Sequence, residues 1–330
     1  MATHSHAAKM AKHVVIGGGS GFIGTALKKV LIQRGDKVTI VSRFPGQDRI
    51  TWQQLQQNGL PQCDAVINLA GKHILDMTRR WTQAYRDELV ASRVGTTKLL
   101  VDAMNHSATP PELFISTAGK CFYGAGEDYP NHDPIEVDEY STPIASDYPA
   151  KLVRQWEAAA DGVDKSKIRH AKLRIGIVLA ASDRATGHHR GQTKKPWRLQ
   201  TSRGIFPLMR SAFALGLGAT FGDGKQPFPW VHIDDVVQII IKTIDDKNMA
   251  GLFNAVSPGI VDNKKFSTLL AKKLKRPLLF SIPSWLVTAI VGSERSSILL
   301  RGQLVKPKRT LTFGYEFLYP DIETALGSLI

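Results

Sequence analysis

The segment Gly18-Gly19-Ser20-Gly21-Phe22-Ile23-Gly24 has a G-x-x-G-x-x-G spacing, a pattern that lets a backbone turn tightly against a pyrophosphate. Glycine removes the Cβ that would hold the phosphates away. The amides around Ser20, Gly21, Phe22 and Ile23 then open a helix whose positive end favours an anion. A glycine string alone is a common turn. This one follows an apolar run at residues 13–16 and precedes a helical pattern at 22–33 closed by Gly35, the strand-turn-helix context that dinucleotide binding needs. A second signal ends the next apolar run, residues 37–41. An NAD site places an acid there for the adenosine ribose hydroxyls, whereas here the chain reads Val41-Ser42-Arg43. The Arg43 guanidinium with the Ser42 hydroxyl suits a 2′-phosphate, so the expected cofactor is NADP(H). The alternative is that Arg43 is one more solvated arginine. Asn68-Leu69-Ala70-Gly71 closes a third apolar run, and small residues at a strand's carboxyl end let backbone skirt a cofactor. Leu69, Ala70, Gly71 and Ser116 complete the expected contacts.

Those loops need a scaffold that brings strand ends together. Strand patterns at residues 13–16, 37–41, 65–69, 113–116 and 171–179 alternate with helical patterns at 22–33, 78–104 and 149–160. Such β-α alternation predicts an α/β fold, a Rossmann-type doubly wound parallel sheet covered by helices on both faces. The expected organisation is a tail at residues 1–12, a dinucleotide-binding domain at 13–182, a basic loop insertion at 183–207 and a smaller α+β lobe at 208–330. The lobe would hold a helix at 208–217, a strand at 251–256 and helices at 263–275 and 284–291, with some strands returning to the main sheet.

In this order the motifs resemble a known family. Gly18 to Gly24 matches its G-G-x-G-F-I-G, and Asn68 to Gly71 its N-L-A-G. Trp156-Glu157-Ala158-Ala159, Arg174-Ile175-Gly176-Ile177-Val178-Leu179 and Trp230-Val231-His232-Ile233-Asp234-Asp235 follow. Gly302-Gln303, Pro307-Lys308-Arg309 and Gly314-Tyr315-Glu316-Phe317 match near the end. Over nearly the whole chain the sequence resembles the epimerase-like family of atypical and extended short-chain dehydrogenase/reductases. That group includes sugar-nucleotide epimerase-related, cell-division-inhibitor-like and giant-chloroplast-like proteins.

The resemblance implies a test of catalysis. Short-chain dehydrogenases use a tyrosine as general acid/base with a lysine four residues on, and a Ser or Thr that polarises the carbonyl. None of the seven tyrosines has lysine at that spacing. The nearest case is Tyr148-Pro149-Ala150-Lys151, and Pro149 at the first helical position would leave Tyr148 as the cap. Thr117 or Ser116 would have to replace the hydroxyl where Ala118 stands. Tyr148, Lys151 and Thr117 are therefore the candidate catalytic residues of a degenerate set. His232 is expected to brace a loop and helix start, Asp234-Asp235 to cap that helix, and Trp156-Glu157 to pack.

The chain of 330 residues carries 43 Lys and Arg against 29 Asp and Glu, a net charge of +14. Such a surplus suits an anionic partner or a compartment whose proteins are basic. Seven basic residues and no acid lie between Asp183 and Asp223, and the stretch from Arg184 to Arg203 is the expected contact with a large protein or ribonucleoprotein assembly. Trp197 there is a candidate stacking residue for RNA. His188-His189 lacks partners for a metal, and no metal is expected. Two cysteines, Cys63 and Cys121, make no disulfide framework and fit a reducing compartment. The acid-free start before Asp36 resembles the remnant of a mitochondrial transit peptide, the alternative being a cytoplasmic protein. No apolar run approaches the roughly 20 residues of a spanning helix. Two readings of function follow: a non-catalytic NADP(H)-holding subunit of an organellar assembly, or an active NADP-dependent reductase or epimerase on a small or nucleotide-linked substrate.

Overall fold

Strand and helix alternate along the computed structural model, which describes residues 10–74, 79, 81–124, 134–143, 147–181 and 204–330. Residues 184–203, with His188, His189 and Trp197, lie outside the described residues, as do residues 1–9. The first half gives β1 (His13–Gly17), α1 (Phe22–Gln33), β2 (Lys37–Ser42), β3 (Arg49–Thr51), α2 (Trp52–Asn58) and β4 (Ala65–Asn68). Next come α3 (Gln83–Val90), a π-helical turn (Ala91–Gly95), α4 (Thr96–Asn105), β5 (Leu113–Gly119) and a 3-10 turn (Lys120–Tyr123). The second half begins with β6 (Glu136–Val137), α5 (Tyr148–Ala160), β7 (Arg169–Ile175), β8 (Ile177–Leu179) and α6 (Phe206–Ala214). After these run β9 (Ala219–Phe221), β10 (Pro227–Phe228), β11 (Trp230–His232), α7 (Ile233–Asp245) and β12 (Gly251–Ala255). The last part holds β13 (Val261–Asp262), α8 (Asn263–Lys273), β14 (Phe280–Ile282), α9 (Ser284–Val291), α10 (Ser293–Leu300), β15 (Leu304–Val305), α11 (Lys308–Thr312) and α12 (Ile322–Leu329).

Seven parallel strands form one sheet in the order β12-β7-β5-β4-β1-β2-β3. The chain winds outward from β1 through β2 to β3, then returns to β4 and winds the other way. The Rossmann-type expectation holds, and the strand order reverses between β1 and β4. Alternation in β1 sends Val14 and Ile16 into a core with α1 and α7, and Val15 into a second core with Leu100, Met104 and Ala160 of α4 and α5. Both faces are covered, as a parallel sheet requires.

Several boundaries differ from expectation for identifiable reasons. The run 171–179 is two strands, because a Cβ at Gly176 would lie 2.8 Å from the Pro229 carbonyl, and there the chain leaves the sheet to pair β8 with β11. The helix expected at 78–104 starts at Gln83, capped by the Thr82 hydroxyl on the Tyr85 amide, and widens into the π turn. Strand β12 joins the edge of the main sheet and α7 packs on it, a return to the sheet of the kind expected for some strands of the second half. A separate core of Phe206, Phe213, Trp230, Phe266 and Leu326 unites α6, α8 and α12.

The caps also differ. Asp147 caps α5 by accepting from the Ala150 amide, which makes Tyr148 the first helical residue rather than the cap. His232, not the Asp234-Asp235 pair, caps α7: its Nδ1 accepts from the Asp234 amide at 3.1 Å. His232 thus braces the helix start as expected, with its ring 3.8 Å from that of Tyr319. The fully buried Asp235 accepts instead from the Tyr315 hydroxyl and from the Leu318 and Tyr319 amides, tying α7 to the C-terminal segment.

Candidate nucleotide site

The crevice at the β1/β4 reversal is built from backbone. Gly18 sits at φ +73°, held by its amide on the Val41 carbonyl, and a Cβ there would come within 2.7 Å of the Ala70 backbone. A Cβ on Gly24 would meet the Gly19 Cα at 2.5 Å, so α1 rests directly on the loop. No side chain caps α1 and no acid sits in its first turn. Ser20 and Gly21 are exposed and Phe22 and Ile23 half-buried at that N-terminus, where the free amides and the helix dipole favour an anion.

At the adenosine end of such a crevice, Arg43 is exposed just past β2, its guanidinium 5.9 Å from the Phe44 ring and facing no carboxylate among the described residues. Ser42 is buried, and its hydroxyl donates to the Phe44 carbonyl at 2.6 Å. It shapes the loop that carries Arg43, and that bond occupies its proton.

Across β1, the fully buried Asn68 forms the Leu69-Ala70-Gly71 turn: its Oδ1 accepts from the Ala70 amide and its Nδ2 donates to the Thr97 hydroxyl at 2.8 Å. Thr97 also accepts from Trp156 Nε1 and donates to the Arg93 carbonyl. Three elements, β4, α4 and α5, thereby converge on one hydroxyl behind the crevice.

The candidate catalytic residues are not brought together. The Thr117 hydroxyl donates to the Asn68 carbonyl inside the sheet. Ser116 is buried with its hydroxyl 2.9 Å from Nε2 of His170. Tyr148 turns toward α3, its hydroxyl 3.5 Å from the Arg86 carbonyl, its ring edge-on to Trp81 and beneath the Arg86 guanidinium. Burial pushes the Tyr148 phenol above its usual range, which disfavours a phenolate base. Lys151 faces solvent. Glu157 packs as expected, in a buried ion pair with Arg174 at 2.7 Å. No cluster of His, Cys, Asp or Glu fit for a metal occurs among the described residues, and no helix there is long and apolar enough to cross a membrane.

Sequence reasoning missed Arg93. It lies in the π turn, 8% exposed, between the Gly71 loop and α5. Its trace in the sequence is an arginine on the helical stripe that also carries Tyr85, Leu89, Leu100 and Met104.

The family model described as the NAD dependent epimerase/dehydratase family matches residues 14–255, and a domain of unknown function, DUF1731, matches 282–329. Among curated relatives, the human epimerase family protein SDR39U1 is 37% identical over 317 residues, covering 96% of this chain and 99% of that one. The Bacillus subtilis epimerase family protein YfhF is 28% identical, covering 96% and 98%. A crystal structure of human SDR39U1 isoform 2 with NADPH superposes with a TM-score of 0.84 at 37% identity, covering 96% of this chain and 98% of that one. A nucleoside-diphosphate sugar epimerase from Corynebacterium glutamicum gives 0.71 at 25% identity, covering 97% and 58%. With its glycine loop, its strand order and the family model agreeing from Val14 to Ala255, the chain belongs to the NAD dependent epimerase/dehydratase family, in its epimerase-like short-chain dehydrogenase/reductase branch.

Proposed function

We propose that the chain binds NADP(H), with the pyrophosphate on the Gly18–Gly24 loop, the 2′-phosphate on Arg43 and the nicotinamide half passing the Leu69–Gly71 turn. The observation that carries this reading is the uncapped N-terminus of α1, whose Gly24 rests on Gly19 while Gly18 rests on the Ala70 backbone, so closely that only glycine fits at either place, with a guanidinium that faces no carboxylate among the described residues one strand away. The human relative crystallised with NADPH supports it. Arg43→Asp tests it: nucleotide titration followed by fluorescence should show NADPH affinity falling about 10- to 100-fold, the worth of one or two charge-assisted hydrogen bonds, with NADH affinity unchanged or improved. Equal affinities in both proteins for both nucleotides would refute the assignment.

The nucleotide serves chiefly to stabilise the fold rather than to drive orthodox tyrosine-lysine chemistry, since Tyr148 is packed against α3 and Lys151 faces solvent. A role as a subunit of an organellar, mitochondrial assembly accords with the +14 charge. Sedimentation of native extract checks it, and a free monomer or homodimer at low salt speaks against it. The second reading, an active reductase or epimerase, is favoured by one feature, the buried cation at Arg93.

A further inference from the structure

A guanidinium taken out of water needs a compensating anion or a full set of acceptors. Arg93 has neither. Its side chain is buried, and no carboxylate among the described residues lies within ion-pair distance. Nη2 donates to the Lys72 carbonyl at 2.6 Å, while Nη1 reaches only the Leu89 carbonyl at 3.5 Å and the Ser92 hydroxyl at 3.4 Å, both at the limit of a hydrogen bond. Its plane is backed by the Trp156 ring, 5.4 Å away. The remaining charged or polarisable neighbours are Tyr85, Tyr148 and Cys121, none of them an anion near neutral pH, and burial pulls the guanidinium down to about 10.

Two further observations say where the missing charge belongs. A Cβ on Gly71 would lie 3.4 Å from the guanidinium carbon, so the cation lies directly against the loop that follows β4. The π turn that aims Arg93 there is the kind of helix irregularity found where a side chain is placed for function. In the register proposed above, adenosine lies over β2 and pyrophosphate over β1, so the β4–β5 side is where the nicotinamide and any second ligand meet.

We propose that Arg93 is an anion receptor: it takes a carboxylate or phosphate group of a second, non-nucleotide ligand beside the nicotinamide end of the crevice. The position of this ligand rests on the NADP(H) reading, but the charge argument does not. A planar fork suits the two oxygens of such a group, and burial of the side chain against the Trp156 ring keeps the guanidinium poorly hydrated.

The test uses the full chain, inorganic phosphate and malonate as probes, chloride at matched ionic strength as control, and thermal unfolding as readout, with and without NADPH. The wild type should show saturable stabilisation by phosphate or malonate that chloride does not give. Phosphate alone would point to a phosphoryl ligand, malonate alone to a dicarboxylic one. Arg93→Gln should abolish the response while leaving NADPH affinity within about threefold. Should Arg93→Gln not fold, Arg93→Lys keeps the charge without the fork and should raise the half-saturating anion concentration at least fivefold. No stabilisation of the wild type, or an undiminished response in the variant that folds, overturns the proposal. Failure to bind NADPH with the anion response intact would sink the nucleotide reading and leave Arg93 standing.

Discussion

At the scale of single residues, the site is a set of groups whose surroundings dictate their state. His170 is buried against the Phe114 ring, and that burial lowers its pKa from 6.5 to about 4, against a weaker opposing pull from Asp161. The folded state therefore keeps His170 neutral where the unfolded chain takes up a proton. Stability is unaffected above the unfolded value and falls as pH drops from 6.5 toward 4, by on the order of 3 kcal/mol. Urea unfolding at pH 7 and pH 4.5 should show that loss in the wild type and a clearly smaller one in His170→Gln; parallel profiles would mean that His170 titrates normally. Ser116 shares the same logic: its hydroxyl is 2.9 Å from the His170 ring, so a residue that reads as a cofactor contact is spent on the core.

At the scale of elements, the glycine loop and α1 form one unit. Gly24→Ala places a methyl group 2.5 Å from the Gly19 Cα and forces α1 away from the loop. Overpacking of this kind costs typically about 1–3 kcal/mol, and the displaced amides should also cut NADPH affinity by about tenfold or more. Thermal unfolding and nucleotide titration of the variant check both halves, and wild-type values in each would show that the loop tolerates the shift. This unit is legible in the sequence because glycine spacing, strand run and helix pattern are contiguous in the chain. The wall behind it is not. Asn68, Thr97, Trp156 and Arg93 come from four elements, and each one alone looks like a turn residue, a helix residue or a solvated charge. The π turn that swings Arg93 inward leaves no local signature, since widening a helix by one residue changes its hydrogen bonds but not its composition. Tyr148 shows the converse: its sequence neighbourhood suggests chemistry, and only the packing of α3 reveals where it points.

At the scale of the whole molecule, the C-terminal segment is locked to the nucleotide-binding body by buried hydrogen bonds, two carboxylates among their acceptors. Asp235 of α7 accepts three hydrogen bonds from residues 315–319, and Glu139 accepts from the Asn254 and Arg309 amides. Asp235→Asn would turn an amide N–H toward a buried donor and should destabilise by about 2–4 kcal/mol, with faster hydrogen exchange confined to residues 313–319 and the start of α7. Unchanged exchange there would show that the lock is redundant. The lock keeps β12 and α7 on the sheet, and the sheet holds the strand ends that form the crevice. All of this converges on one binding event, which titration calorimetry of the purified full chain measures most directly. NADPH should bind at one per chain, at least about tenfold more tightly than NADH, because only the former presents a 2′-phosphate to Arg43. Absence of heat with both nucleotides, or equal affinity for the two, would contradict it.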